Sequence, residues 1–333
     1  MSVNRIHAGP VSPPDPLLSV RRLSKRFPVR EGLAKKYLRA VDGVSFELRK
    51  GQTLAIVGES GSGKSTLARM VTRLLEPSSG EIWLEHRNLS VLSKRELRRM
   101  RKDMQMVFQD PYASLNPRQR VRDIISEPLD IHRLARSKQE AAENVARLLE
   151  SVGLLSELGS RYPHELSGGQ RQRVAIARAL AVSPKLIVFD EAVSALDVSI
   201  QAQMLNMIRD VQERFQLSYL FITHDLSVAR HVATHVAVMY LGEFVEYGES
   251  ERLFSNPRHP YTKALLSSVP LIGKQQSPMQ IIRNADPPNL LAPFPGCRFQ
   301  PRCPFAQTSC STRRPGISGE PDGSHYWACP VDR

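Results

Sequence analysis

The sequence lacks any apolar run long enough to form a membrane-spanning helix. Such a helix needs roughly 20 predominantly apolar residues, whereas the longest apolar runs of this 333-residue chain, such as 186–189 and 236–241, have the length of strands. The first five residues also contain no apolar core of the kind found in a signal peptide. We therefore expect the chain to stay in the cytoplasm and to reach a membrane only through a partner.

Cysteine is absent from the first 296 residues, and the four cysteines of the chain are Cys297, Cys303, Cys310 and Cys329. Disulfides are rare in cytoplasmic proteins, so this clustering predicts a metal or iron–sulfur site. No C-x-x-C pair is present, and the spacing is a poor match to common zinc ribbons. The spacing alone leaves open a 4Fe–4S cluster, a structural zinc ion and metal-free thiols.

Acidic residues are outnumbered by basic ones, and the formal net charge is +13. This excess suits nucleic acid, an anionic membrane surface or nucleotide phosphates, and charge alone does not choose among them. The densest basic cluster, at 94–102, is predicted to lie on a helix with Ser93 as its N-cap. The solvated face of a helix is the simplest interpretation of that cluster.

Short apolar runs alternate with helical stretches between about residues 41 and 248, a pattern that predicts an α/β core. Three of these runs, at 53–57, 185–189 and 219–223, are predicted to be buried strands. The residues that follow them are Gly58, Asp190 and His224. Since sites in parallel α/β sheets lie at the carboxyl ends of strands, we expect these residues to be functional.

Composition divides the chain into three predicted parts. Residues 1–16 carry five Pro or Gly residues and are predicted to form a flexible tail. Residues 17–253 hold the α/β domain, with a mainly helical insertion at about 94–165. The sequence then becomes rich in loops and proline, which predicts a second, small domain over 254–333.

Residues 58–65, Gly-Glu-Ser-Gly-Ser-Gly-Lys-Ser, match the phosphate-binding pattern G-x-x-x-x-G-K-S/T in full. They follow a predicted strand and precede a predicted helix at 65–75. The backbone of such a loop wraps phosphates, which predicts ATP contacts at Gly58, Ser60, Gly61 and Gly63. We expect Lys64 to neutralise the β- and γ-phosphates, Ser65 to ligate Mg2+ and Thr66 to lie near the α-phosphate.

Two acidic residues after the second strand complete a predicted ATP site. We expect Asp190 to hold Mg2+ through water. Glu191 follows directly and is predicted to orient and polarise the attacking water. The sequence therefore predicts an enzyme that hydrolyses ATP.

Residues 166–170, Leu-Ser-Gly-Gly-Gln, make the chain resemble the ABC ATPase family, whose signature is this pentapeptide. The resemblance implies a P-loop NTPase (RecA-like) α/β core with an antiparallel β subdomain and a helical subdomain. It also implies that two such domains pack head to tail and close over ATP. The signature residues that contact the ATP of the opposite subunit are then Ser167, Gly168, Gly169 and Gln170.

Other residues are similar to family elements in their order along the chain. Gln109 resembles the Q-loop glutamine, which contacts Mg2+ and water, and Asp197 closes a segment similar to the D-loop. His224 resembles the switch histidine that contacts the γ-phosphate, and Phe27 aligns with the aromatic residue that stacks on adenine. Ala192 departs from the family's usual proline, but alanine can adopt the same backbone, so we expect activity to be retained.

Three longer segments resemble the dipeptide/oligopeptide importer branch, which includes nickel and glutathione importers. They are 109–118 (QDPYASLNPR), 256–266 (NPRHPYTKALL) and 296–304 (GCRFQPRCP). In this branch a 4Fe–4S cluster on the four cysteines is implied. Residues 193–199 are similar to the F-type subunit.

The resemblance implies ATP-driven import of di- or oligopeptides, with nickel or glutathione as alternative substrates. The implied partners are a second ATPase subunit (a D-type subunit or a second copy of this chain), two transmembrane permease subunits and an extracytoplasmic peptide-binding protein. The implied location is the cytoplasmic face of the membrane, with peripheral attachment and no nucleic acid.

Two other functions compete with import. A soluble ABC ATPase acting on nucleic acid or ribosomes fits the charge. The interval from Ser65 to Ser167 is too short for the coiled coils of chromosome and repair proteins, and the chain has one cassette where translation-type proteins have two. A nucleotide-binding regulator without turnover is disfavoured by the presence of Glu191 and His224.

Overall fold

The structure is a computed structural model that describes residues 15–31, 34–267, 291 and 294–331. The chain forms two compact units. Unit 1 comprises residues 1–49, 53–91 and 223–333, and unit 2 comprises residues 50–52 and 92–222. The predicted tail at 1–16 lies almost wholly outside the described residues.

The strands and helices are as follows, in chain order. The strands are β1 (Leu18–Glu31), β2 (Ala34–Leu48), β3 (Thr53–Val57), β4 (Ser79–Leu84), β5 (Arg87–Asn88), β6 (Met104–Val107), β7 (Leu186–Asp190), β8 (Ser218–Thr223), β9 (His235–Tyr240), β10 (Glu243–Glu249), β11 (Ser318–Gly319) and β12 (His325–Trp327). The helices are α1 (Lys64–Val71), α2 (Lys94–Met100), α3 (Pro111–Ser114), α4 (Val121–His132), α5 (Lys138–Ser151), α6 (Gly168–Leu180), α7 (Val198–Phe215), α8 (Leu226–Val232), α9 (Ser250–Ser255), α10 (Pro260–Ser267) and α11 (Ser309–Thr312).

Unit 1 contains an antiparallel sheet in the order β2–β1–β4–β5. A register shift interrupts β1 between Val20 and Leu23, where Arg22 has a positive φ of 46°. The N–H of Arg22 donates to the hydroxyl of Ser45 at 2.8 Å, which satisfies the backbone at this bulge. The predicted antiparallel β subdomain is therefore confirmed.

The second sheet of unit 1 joins the phosphate loop to the C-terminal part of the chain. Its strands run in the order β11–β12–β10–β9–β3. The β3 strand pairs in parallel with β9, and the remaining neighbours are antiparallel. All five residues of β3 are buried, so the strand is a fixed support for the loop that follows it.

Unit 2 has a parallel sheet with the order β8–β7–β6, packed with helices. The α4, α5 and α6 helices contact one another, and α6 also contacts β6. The β7 strand begins one residue later than predicted and includes Asp190. The β6 strand lies in the stretch predicted to be mainly helical, where buried Met104, Met106 and Val107 alternate imperfectly with half-buried Gln105.

Two predicted helices can be compared directly with the structure. Ser93 caps α2 as predicted, and its N–H donates to the Glu96 carboxylate at 2.9 Å in a capping box. The α1 helix ends at Val71 rather than at residue 75, because Arg73 takes a left-handed φ of 54°. Among the described residues, no helix has both the length and the apolar character that crossing a bilayer requires.

Candidate functional site

The phosphate loop of unit 1 connects β3 to α1 through two glycines that no other residue can replace without strain. Gly58 has φ +153°, and a Cβ there would lie 2.1 Å from the Met239 carbonyl oxygen. Gly63 has φ +104°, and its Cβ would lie 2.2 Å from the Ala40 carbonyl oxygen. The loop is therefore packed directly against neighbouring backbone.

Lys64 lies back along this loop. Its Nζ donates to the carbonyl oxygens of Gly58 at 2.8 Å and Glu59 at 2.9 Å. The side chain is buried in this position, with 4% of its surface exposed. An ammonium group next to a helix N-terminus creates a positive site suited to a polyphosphate.

The other predicted residues of unit 1 occupy distinct places around its two sheets. Ser60 and Gly61 are exposed on the loop, and Ser65 and Thr66 are half-buried in the first turn of α1. His224 is exposed between β8 and α8, next to Asp225, which caps α8. Phe27 is half-buried on β1, with the Lys25 ammonium 5.3 Å from its ring centroid.

In unit 2, the buried Asp190 carboxylate ends β7, and only 4% of the residue is exposed. Glu191 follows with φ 52°, a left-handed conformation that costs free energy for any residue with a side chain. Its N–H donates to the Ile222 carbonyl at 3.0 Å, which holds this bend against β8. The side chain of Glu191 therefore leaves the strand in a fixed direction.

Gln109 and Glu191 are connected through Ser194. The Ser194 hydroxyl donates to the Glu191 carbonyl at 2.9 Å and accepts from the Gln109 side-chain amide at 3.4 Å. Asp197 lies three residues further on, where it is exposed and precedes α7. Within unit 2, the structure thus brings the predicted Q-loop, catalytic glutamate and D-loop together.

The signature segment forms the N-terminus of α6. Ser167 is its N-cap: the Gln170 N–H donates to the Ser167 hydroxyl at 3.3 Å, and the Ser167 N–H donates to the Gln170 side chain at 2.9 Å. Accepting this bond leaves the hydroxyl proton able to donate to a ligand. Among the described residues outside its own helical turn, none comes within 4 Å of a Cβ built on Gly168, whereas a Cβ on Gly169 would lie 2.9 Å from the Ile200 side chain.

Arg171 was not predicted as a functional residue, and its side chain contacts the backbone just before the signature helix. Its Nε donates to the Pro163 carbonyl at 2.6 Å, and its guanidinium also donates to the Leu166 carbonyl. The same guanidinium lies 3.7 Å from the ring centroid of Tyr112, in the segment that marks the importer branch. Arg171 and Arg173 directly follow the signature in the sequence, but the sequence does not indicate which groups they contact.

The four cysteines are reduced, and three of them are buried. The Cys297 N–H donates to the Cys310 carbonyl at 2.8 Å. Burial, together with the neighbouring thiols, raises the pKa of Cys297 to about 12 and that of Cys329 to about 11. These thiols therefore stay protonated at neutral pH unless a cation lowers their pKa.

The metal prediction has chemical but not geometric support. Four thiols, three of them buried, are a donor set that suits zinc or an iron–sulfur cluster. In the part of the chain that the structure describes, however, no three His, Cys, Asp or Glu residues are grouped so that they could hold a metal ion. The 4Fe–4S cluster and its zinc alternative stay predictions.

A buried carboxylate that the sequence did not reveal holds the C-terminal part of unit 1 in place. Glu246, on β10, is fully buried and accepts from His325 Nε2 at 2.7 Å. It also accepts from the backbone N–H groups of Arg258 and His259, both at 2.8 Å. One side chain therefore fixes both β12 and the start of α10.

A second buried ion pair lies in the same unit. Arg298 donates to the Asp42 carboxylate at 2.6 Å, and Arg314 donates to it at 3.2 Å. Burial alone would raise the pKa of Asp42, but the two guanidinium groups outweigh it and hold this pKa below its ordinary value.

The phosphate loop, the strand that carries Asp190 and the α6 N-terminus define the protein as a P-loop NTPase of the ATP-binding cassette type. The ABC transporter family profile matches residues 41–194, and the profile for the C-terminal region of oligopeptide/dipeptide transporters matches residues 245–310.

Individual proteins that are similar to this chain belong to the same class. The chain is 50% identical to the oligopeptide transport ATP-binding protein AppF of Bacillus subtilis, over 94% of this chain and 96% of AppF. It is 52% identical to the glutathione import ATP-binding protein GsiA of Escherichia coli K12, over 83% of this chain and 45% of GsiA. The dimeric post-hydrolysis structure of the cassette MJ0796, bound to ADP and Pi, matches with a TM-score of 0.62 and 28% identity, over 70% of this chain and 98% of that chain. The chain belongs to the ABC transporter family, as an ATP-binding subunit of the dipeptide/oligopeptide branch, and is an ABC ATPase.

Proposed function

We propose that this chain energises the import of di- or oligopeptides across the cytoplasmic membrane by binding and hydrolysing ATP. The observation that carries the proposal is the complete phosphate loop in a chain that is 50% identical to AppF along nearly its whole length. ATP draws two cassettes together head to tail, and hydrolysis releases them.

The proposed roles at ATP follow the family motifs. Lys64 and the glycine-rich loop bind the phosphates, Ser65 and Gln109 ligate Mg2+, and Asp190 holds that ion through water. Glu191 polarises the attacking water, and His224 contacts the γ-phosphate. Phe27 stacks on adenine, and Thr66 lies near the α-phosphate. The signature and the D-loop of the opposite subunit supply the remaining proposed contacts, which are Ser167, Gly168, Gly169, Gln170 and Asp197.

The proposed partners are two permease subunits, an extracytoplasmic peptide-binding protein and a second ATPase subunit, which is a D-type subunit or a second copy of this chain. The chain would then attach peripherally to the cytoplasmic face of the membrane. No role for nucleic acid is proposed.

We propose residues 17–253 as the nucleotide-binding domain and residues 254–333 as a C-terminal extension. The family profiles support this division in sequence terms, since the second profile begins at residue 245. Within unit 1, the extension adds β11 and β12 to the sheet that carries the phosphate loop. It is therefore packed on the cassette rather than tethered to it.

We also propose that the four cysteines hold a 4Fe–4S cluster when the metal is supplied. The donor set supports this proposal, and the cluster would act as a structural clip for a segment with little regular structure. An anaerobic absorption spectrum with iron and zinc analysis tests it. A Cys310→Ser variant that kept the same iron content would contradict the assignment, and one zinc per chain would favour the alternative metal.

Glutathione import is the second candidate function, because the chain is 52% identical to part of GsiA. Glutathione is itself a tripeptide, so the two candidates differ in the delivered substrate and not in the chemistry at ATP. A ligand screen of the cognate binding protein separates them.

The direct test of the function is reconstitution of the chain with its permease subunits in vesicles, with the binding protein and labelled peptide outside. We expect peptide uptake that requires ATP on the side of the ATPase subunits and that is lost with Glu191→Gln. The matched control is Glu213→Gln, at an exposed position on α7. Elution of the chain with RNA or ribosomes, and not with permease subunits, would contradict the proposal.

A further inference from the structure

Within the part of the chain that the structure describes, two residues of the C-terminal extension form hydrogen bonds with Glu59 of the phosphate loop. The Arg302 guanidinium donates to both carboxylate oxygens of Glu59, at 2.9 and 3.1 Å. The backbone N–H of Glu59 donates to the Tyr261 hydroxyl at 3.0 Å. Two residues of the extension, separated by more than 40 positions, therefore hold the side chain and the backbone of the same loop residue.

These two anchors are themselves fixed. Tyr261 is fully buried, and its ring centroid lies 4.6 Å from that of Tyr240 and 5.4 Å from that of Phe299. The Arg302 side chain is 16% exposed and lies 5.9 Å from the Tyr240 ring centroid. Hydrogen bonding to the Glu59 carboxylate raises the pKa of Arg302 further, so this guanidinium is always charged.

Glu59 in turn contacts the residue that binds phosphate. Its carbonyl oxygen accepts from Lys64 Nζ at 2.9 Å and from the Ser62 N–H at 3.2 Å. Any shift of the Glu59 backbone therefore moves an acceptor of Lys64 and the turn that contains Ser62. A loop that is held in place before ATP arrives loses less conformational entropy when ATP binds.

We propose that Arg302 and Tyr261 are positioning residues for ATP, through which the C-terminal extension sets the ATP affinity of the phosphate loop. The inference rests on the proposed role of Lys64 at the phosphates. Neither residue touches ATP: both act through Glu59. A fork of two parallel hydrogen bonds fixes the orientation of the carboxylate as well as its distance, which a lysine in place of Arg302 cannot do.

The contrasting interpretation is that these contacts only attach the extension to the cassette. Both interpretations predict a loss of thermal stability when the contacts are removed. Only the positioning role predicts weaker nucleotide binding in a protein that is still folded, together with a raised KM for ATP and a nearly unchanged kcat.

The experiment measures the Kd of the full-length chain for the non-hydrolysable analogue AMP-PNP with Mg2+, by titration calorimetry. We expect Arg302→Ala and Glu59→Gln each to raise this Kd roughly tenfold, the value of one charge-assisted hydrogen-bonded pair. The double variant is expected to show the same Kd as either single variant, because both changes break one connection. Tyr261→Phe removes only a hydroxyl and is expected to raise the Kd about threefold.

The matched control is Arg258→Ala. Arg258 makes a comparable ion pair with Glu320 at 2.8 Å, and the residues of this pair belong to the extension and not to the loop. We expect its Kd to equal that of the parent chain. Melting temperatures without nucleotide identify variants that fail to fold, and Arg302→Lys and Tyr261→Phe are the mild substitutions that retain the fold.

Two results would overturn the inference. One is an unchanged Kd in folded Arg302→Ala or Arg302→Lys. The other is a loss that multiplies when Arg302→Ala and Glu59→Gln are combined, since independent losses mean separate actions. A Lys64→Ala control separates failure of this inference from failure of the proposed function. If Lys64→Ala binds nucleotide normally, the assignment of the ATP site fails. If Lys64→Ala abolishes binding while the Arg302 and Glu59 variants bind normally, only the positioning inference fails.

Discussion

The side-chain amide of Gln109 donates to the hydroxyl of Ser194 at 3.4 Å, and that hydroxyl donates in turn to the carbonyl of Glu191 at 2.9 Å. Serine 194 therefore connects the segment that marks the importer branch to the proposed catalytic base. If Gln109 moves, we expect the Ser194 hydroxyl to transmit this movement to the Glu191 backbone.

The first prediction concerns this connection. Ser194→Ala removes both hydrogen bonds, each worth about 0.5–1.5 kcal/mol. We expect kcat for ATP hydrolysis to fall roughly three- to tenfold, with little change in nucleotide affinity, because the phosphate loop is untouched. Steady-state phosphate release measures this.

The matched control for that variant is Ser160→Ala. The Ser160 hydroxyl also donates to a carbonyl three residues back, that of Glu157 at 2.9 Å. It is exposed and is not among the proposed site residues. An equal loss of turnover in both variants would show that Ser194 has no special role.

The second prediction concerns Glu191 itself. Glu191→Gln keeps the size of the side chain and its backbone bond to Ile222, so ATP binding is expected to persist. Turnover is expected to fall roughly 100-fold or more, the usual contribution of a general base. Equilibrium binding and steady-state hydrolysis on the same sample check both halves, and unchanged turnover would remove Glu191 from its assigned role.

The third prediction concerns acid stability. Burial lowers the pKa of His259 from 6.5 to about 4, against the opposing effect of Glu246. Since the unfolded chain takes up the proton more readily, the stability tied to neutral His259 is complete above pH 6.5 and is lost as the pH falls toward 4. Protonation would also break the bond in which His259 Nδ1 accepts from the Tyr261 N–H at 3.1 Å.

Urea unfolding at pH 7 and pH 4.5 measures this effect. We expect His259→Asn to be destabilised at pH 7 but to lose about 2–4 kcal/mol less than the parent chain on acidification. His86→Gln is the control, because that side chain is 80% exposed. Parallel pH curves for the parent and His259→Asn would contradict the assignment.

The fourth prediction concerns the buried ion pair of unit 1. Arg298→Ala leaves the Asp42 carboxylate buried with only Arg314 and Arg39 nearby, and is expected to cost about 3 kcal/mol of stability. Arg252→Ala removes an exposed pair with Asp322 at 2.9 Å and is expected to cost less than about 1 kcal/mol. Similar losses in both variants would mean that burial of the first pair is unimportant.

Features encoded in neighbouring residues were predictable from the sequence. The strands before Gly58 and Asp190 are continuous apolar runs, and the helix after Ser93 has a local capping pattern, so each was found within a residue or so. The N-cap at Ser167 had a signal of the same kind, since serine followed three residues later by glutamine is a capping-box pattern. Local pattern and local structure agree at these places.

Features that join distant positions were not predictable. Glu59 and Arg302 are 243 residues apart, and an isolated glutamate or arginine has no periodicity that indicates its partner. The same holds for Glu246 with His325 and for Asp42 with Arg298. The left-handed φ of Glu191 also left no local signal, because its N–H is held by Ile222 from a neighbouring strand.

The pairing of β12 with β10 has a consequence for how this chain can be shortened. The β10 strand forms backbone ladders with β9 on one side and β12 on the other. A truncated cassette ending near residue 254 would expose the open edge of β10 and remove His325, Arg258 and His259, which donate to the Glu246 carboxylate. Such a fragment would present an unpaired strand edge to which strands of other chains can add. We therefore expect it to aggregate rather than to act as a minimal ATPase.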